Sequence, residues 1–97
     1  MSAPVAVALD APDLATAVAW AEQAGPYVST MKIGLELYLR EGRAAVEQVR
    51  AAAPGCQVFL DLKLHDIPNT VAGAARAVAP LRPELLTVHA LGGAAMI

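Results

Sequence analysis

Two acids and a lysine fall within six positions of the stretch Phe59-Leu60-Asp61-Leu62-Lys63-Leu64-His65-Asp66-Ile67-Pro68-Asn69-Thr70. In a strand, alternate side chains share a face, so Asp61 and Lys63 point one way while Leu60, Leu62 and Leu64 point the other. Asp66 comes after the alternation has ended, and Pro68 is placed to open a helix, which assigns Asp66 to a strand-to-helix loop. A lysine fixed between carboxylates remains an ammonium, stabilises a carbanion that develops beside it, and can then hand over a proton. The ordinary alternative is a solvated surface ion network.

The elements that must position these groups are legible from apolar periodicity and from glycine and proline. Val5 to Leu9 form a short apolar run ending at Asp10. Pro12 and Asp13 then open a helical pattern with Leu14, Val18 and Ala21 on one face, and Gly25-Pro26 stops it. A second strand spans about Val28 to Ile33. After Gly34 a mixed segment leads into a helix that carries Val46 and Val49 and ends at Pro54-Gly55. The third strand covers Gln57 to Leu62, and the helix after Pro68 spaces Val71, Ala75 and Val78 for one buried face. A fourth strand covers about Glu84 to His89.

Four strands alternating with three helices predict repeated βαβ units and a parallel sheet, which fits both a closed barrel and an open doubly wound sheet. Polar residues end every strand: Asp10, Lys32, Asp61 with Lys63, and His89. A common rim of this kind favours the barrel, because all strand tips of a barrel face one mouth. No glycine-rich phosphate loop supports the open-sheet alternative.

The 97 residues are 57% hydrophobic and 16% charged. That is too apolar for a disordered chain and too interrupted for a membrane span. A net charge of −2 with scattered basic residues gives no attraction for nucleic acid. One cysteine cannot form an internal disulfide and the first residues carry no secretory signal, so the expected location is cytoplasmic. A complete (β/α)8 barrel takes ~250 residues, so the chain is expected to hold only its first four βα units. The last residues, Gly92-Gly93-Ala94-Ala95-Met96-Ile97, read as a truncation after the fourth strand.

The pattern Asp61-x-Lys63-x-x-Asp66-Ile67-Pro68-Asn69-Thr70 resembles the motif of the orotidine 5'-phosphate decarboxylase family. Val7-Ala8-Leu9-Asp10, Met31-Lys32-Ile33-Gly34, and Thr87-Val88-His89-Ala90 with Gly92-Gly93 agree with it, and the similarity runs along nearly the whole chain. The resemblance implies a TIM barrel that converts orotidine 5'-monophosphate to uridine 5'-monophosphate in pyrimidine biosynthesis, with no cofactor and no metal. It makes Lys63 the proton donor and Asp61 and Asp66 its charged partners. It also places Asp10 on a ribose hydroxyl and Lys32 in the charged network near the ribose. Asp66, Ile67 and Thr70 would reach into a neighbouring subunit's site, which implies a homodimer. The residues that grip phosphate and pyrimidine in the family would lie beyond Ile97, so these 97 residues alone are expected to be inactive. Related sugar-phosphate decarboxylases or synthases share the Asp-x-Lys-x-x-Asp core and use similar acids to hold magnesium. A non-catalytic half barrel is the further alternative.

Outside the motif the readings are plainer. Asp10 alone would suit a helix cap. Lys32 in an apolar strand would be an unexplained buried charge if its role were purely structural. His89 fits structural support or substrate proximity equally well, and His65, beside the motif, reads as a packing or loop residue. Cys56 reads as an inert small apolar residue, and Trp20 and Tyr38 as helix packing or interface residues.

Overall fold

Alternating apolar residues with β-branched neighbours set the strands, and the helices lie where the period lengthens. The computed structural model describes residues 2–97. Strands β1 (Ala3–Ala8), β2 (Val28–Ile33), β3 (Gln57–Leu64) and β4 (Leu85–Val88) form one sheet. Helices α1 (Leu14–Ala24), α2 (Leu35–Glu41), α3 (Arg43–Ala52) and α4 (Pro68–Val78) fill the crossovers, with short 3₁₀ turns at Ala79–Leu81 and Ala90–Gly92. All three pairings are parallel and the order is β1-β2-β3-β4. An open doubly wound sheet reverses strand order at a switch point, whereas sequential order is what a barrel requires.

The two faces of the sheet differ in chemistry. Met31, Ile33, Val58 and Leu60 are fully buried against a core that includes Ala17, Ala21, Leu37, Val46 and Val49. The alternate positions, Thr30, Lys32, Phe59 and Asp61, lie on the opposite face. The register pairs Ala8 with Lys32 and Lys32 with Phe59, so that face is continuous across the strands. Apolar side chains remain exposed on both outer strands, with Val5 on β1 and Leu85 and Val88 on β4. Among the described residues nothing pairs with the outer edges of these two strands.

Two local features depart from expectation. The segment after Gly34 is a separate seven-residue helix, α2, divided from α3 by Gly42 at φ 63° and ψ −143°. That backbone conformation is essentially restricted to glycine, so the chain turns there and a single long helix cannot form. Strand β3 also continues two residues past its expected end, to Leu64.

The cap of α1 is Asp13, whose carboxylate accepts the Thr16 N–H at 2.7 Å, and this bond lowers its pKa. Asp10 is therefore not the helix cap. Pro68 occupies the first turn of α4, where its missing N–H costs nothing.

At the opposite end of β3 and β4 from the charged tips, Glu84 accepts the Val58 N–H at 2.7 Å and a bond from Arg50 at 3.2 Å. Burial pushes the Glu84 carboxyl up, but the Val58 amide and the Arg50 guanidinium outweigh it and hold the pKa below its ordinary value. Arg50 also donates to the carbonyls of Leu81 and Arg82 at 3.1 and 2.9 Å. One guanidinium thereby ties α3 to the turn that feeds β4.

Candidate functional site

The C-terminal tips of β2, β3 and β4 converge on the carboxylate of Asp61. Its residue is only 6% exposed, and each oxygen has defined partners. Oδ2 accepts from Lys32 Nζ at 3.1 Å and from Lys63 Nζ at 2.9 Å, while Oδ1 accepts from Thr87 Oγ1 at 2.6 Å. The Thr87 hydroxyl, then the Lys63 and Lys32 ammoniums, outweigh burial and hold the Asp61 pKa at about 2. Asp61 is thus a fixed anion at neutral pH. Lys32 is mostly covered, with its side chain 25% exposed, whereas that of Lys63 is 53% exposed and open to an approaching molecule.

The backbone beneath this cluster is irregular. Leu60 pairs with Leu86 and Leu64 with Val88, so three β3 residues, Asp61, Leu62 and Lys63, stand opposite Thr87 alone. Such a bulge re-aims side chains at the end of a strand. Lys63 lies in the left-handed region at φ 50°, unusual for a residue with a side chain. Simple alternation breaks there. His65, expected in a packing or loop role, is exposed, with its ring 5.1 Å from that of His89.

Asp10 follows the tip of β1, which stays joined to β2 through the Leu9 N–H on the Lys32 carbonyl at 2.9 Å. It is exposed, and a Cβ built on Gly34 would lie 3.3 Å from its Oδ1, so glycine leaves this carboxylate room. Asp66 is not brought to Lys63 within one chain. Among the described residues it forms no ion pair, and its carboxylate accepts the Ile67 N–H at 2.7 Å. Ile67 and Thr70 are exposed beside it. Asp66 and Ile67 border an open cleft of about 470 Å³ shared with His65, Pro68, Leu91 and Gly92. A larger cleft of about 600 Å³ lies away from the charged tips, between α3 and the turn before β4. Among the described residues no three of His, Cys, Asp or Glu converge as a metal site would require.

Thr87, quoted only within the stretch Thr87-Val88-His89-Ala90, is the site residue to which sequence reasoning gave no role. Its signal is the strand pattern, which places Leu85, Thr87 and His89 on one face of β4.

Sequential parallel strands carrying their charged groups at one set of tips define half of a (β/α) barrel. Comparison with known proteins gives the lineage. A sequence model of the orotidine 5'-phosphate decarboxylase / HUMPS family matches residues 3–97, and the chain belongs to that family. It is 66% identical over its whole length to orotidine 5'-phosphate decarboxylase of Thermobifida fusca and spans 41% of that protein. It is 56% identical to the enzyme of Frankia casuarinae, of which it spans 40%. Among solved structures, the orotidine 5'-phosphate decarboxylase of Pyrococcus horikoshii superposes with a TM-score of 0.88 at 30% identity, covering 94% of this chain and 43% of that one. The Methanocaldococcus jannaschii enzyme, complexed with the inhibitor BMP, gives 0.90 at 25% identity, covering 100% and 44%. The chain thus spans about two fifths of the relatives it matches.

Proposed function

We propose that this chain supplies the first four βα units of an orotidine 5'-monophosphate decarboxylase, with Lys63 as the proton donor. Decarboxylation breaks the bond between a pyrimidine ring carbon and its carboxylate, and the electron pair stays on a ring carbon with no conventional sink beside it. A cation there lowers the barrier. Lys63 gives that carbon a proton in place of the lost carbon dioxide and regains one from solvent.

The observation that carries this reading is the sharing of one Asp61 oxygen by Lys32 and Lys63, at 3.1 and 2.9 Å. The Asp61 anion, held also by Lys32, keeps the Lys63 ammonium in place and aimed. Asp10 and Lys32 hold the ribose end in this reading. Asp66, Ile67 and Thr70, exposed and uncommitted to Lys63 of their own chain, act in a neighbouring subunit's site, which makes the working form a homodimer. A soluble nucleotide as substrate accords with a cytoplasmic location. No helix is long and apolar enough to cross a membrane among the described residues.

Phosphate binding energy realised far from the reacting carbon contributes to lowering the barrier. The residues supplying it are assigned to strands and loops outside the 97, so the chain alone is inactive in this reading. The test is loss of the orotidine 5'-monophosphate carboxylate, measured on the chain alone and after mixing with the remaining part of the Thermobifida fusca relative. Turnover only in the mixture, abolished by Lys63→Ala and indifferent to magnesium chelation, is the expected result. Normal turnover with Lys63→Ala would sink the assignment, and dependence on magnesium would favour a sugar-phosphate reaction.

A further inference from the structure

We propose that Thr87 is a positioning residue for the Asp61–Lys63 pair, because its single hydroxyl holds both the carboxylate of one and the backbone of the other. What this positioning serves rests on the decarboxylase reading, whereas the geometry stands apart from it.

The bulge in β3 removes the Lys63 N–H from the β3–β4 ladder, since pairing passes from Leu60 with Leu86 directly to Leu64 with Val88. An orphaned amide at a strand tip needs an acceptor. Thr87 Oγ1 accepts it at 2.9 Å and, with its own proton, donates to Asp61 Oδ1 at 2.6 Å. A hydroxyl has one donor and spare acceptor capacity, so both bonds form at once without conflict.

Three consequences follow from this one group. The left-handed backbone at Lys63, φ 50°, is locked by a bond rather than left to the preferences of a residue that disfavours it. Asp61 has its Oδ1 oriented, so that Oδ2 faces the two lysines. The proton demand of Asp61 is also lowered, and among its partners the Thr87 hydroxyl has the largest effect. The charged groups around Asp61 are Lys32 from β2 and Lys63 from β3 itself, while β4 contributes only the neutral Thr87. An anion held by two cations and a hydroxyl has no slack to turn.

The test compares Thr87→Val, which keeps the shape and removes the hydroxyl, with Thr87→Ser, which keeps the hydroxyl. Carbon-detected NMR titration of the Asp61 carboxyl in the 97-residue chain is the first measurement. Valine should raise the Asp61 pKa by about one unit or more, the size expected for losing a hydrogen bond to a charged acceptor. It should also shift the Lys63 amide resonance, and serine should restore both. In the reconstituted barrel, valine should lower kcat at least tenfold with KM changed less than twofold, and serine should recover most of the rate.

Unchanged Asp61 titration and an unmoved Lys63 amide in a folded Thr87→Val chain would overturn the proposal. Should valine unfold the chain, the unsubstituted protein decides. A slowly exchanging Thr87 hydroxyl proton with an Overhauser contact to the Lys63 amide supports the proposal, and a freely exchanging one overturns it. If the reconstituted barrel never decarboxylates, the functional reading fails, while the titration still reports on Thr87.

Discussion

Lys32 and Lys63 reach the same oxygen, Asp61 Oδ2, from neighbouring strands, at 3.1 and 2.9 Å. Two ammoniums converge there because one well-covered carboxylate neutralises part of their mutual repulsion. The arrangement therefore depends on the acid more than on either base.

Asp61→Asn should destabilise the chain by about 1–3 kcal/mol, because it leaves two like charges close together over a weak acceptor. Urea unfolding at low and high salt checks this, with the larger loss at low salt. Adding Lys32→Met to that variant should recover part of the loss, and the double-mutant cycle isolates the repulsion.

Acid should weaken the fold through the same group. The Asp61 pKa is lowered to about 2 in the folded chain, so its favourable contribution is complete above the ordinary carboxylate range and is lost as pH falls toward 2. Glu84, also lowered, acts with the same sign. With allowance for solvent screening at the open rim, the Asp61 share is on the order of 1 kcal/mol. Urea midpoints measured from pH 6 to pH 2 should fall, and Asp61→Asn should flatten the slope.

Gly42→Ala tests the break between α2 and α3. A Cβ there would meet nothing within 4 Å, so the cost comes from the backbone at φ 63° alone. The expected loss is about 1–3 kcal/mol, read from the thermal midpoint. A stabilised variant would show that α2 and α3 tolerate another junction.

Arg50→Ala should cost about 1–3 kcal/mol, since it leaves the Leu81 and Arg82 carbonyls and the Glu84 carboxylate without their guanidinium. Hydrogen exchange at the Val58 and Glu84 amides should quicken more than at the Leu9 amide, which bonds the Lys32 carbonyl at the tip of β1, two strands from Val58. Uniform acceleration across the sheet would refute the local clamp.

The strands were readable because their apolar residues recur with the short period of a pleat, and β2 matches its expected bounds, Val28–Ile33, at both ends. The charged rim was readable for the same reason, since alternation places Lys32 and Asp61 on one face. Less accessible was the role of Asp13. It and Asp10 are both aspartates ahead of a helix, and only the position of the Thr16 amide shows which one caps it. The short helix α2 was also hidden, because its boundary rests on the conformation of Gly42 rather than on a change of period.

Residue type and spacing alone settled the βαβ order, the charged residues at the strand tips, and the lineage carried by Asp61, Lys63, Asp66 and Pro68. These depend on local periodicity and side-chain chemistry, both written along the chain. Tertiary structure decided which charges meet. The bulge in β3 turns Lys63 back toward Asp61, brings Thr87 under both, and leaves Asp66 bonded to the Ile67 amide rather than to its own chain's lysine. Those relationships depend on register between strands 24 to 29 residues apart, and a pairing register is fixed only when the sheet packs against its helices.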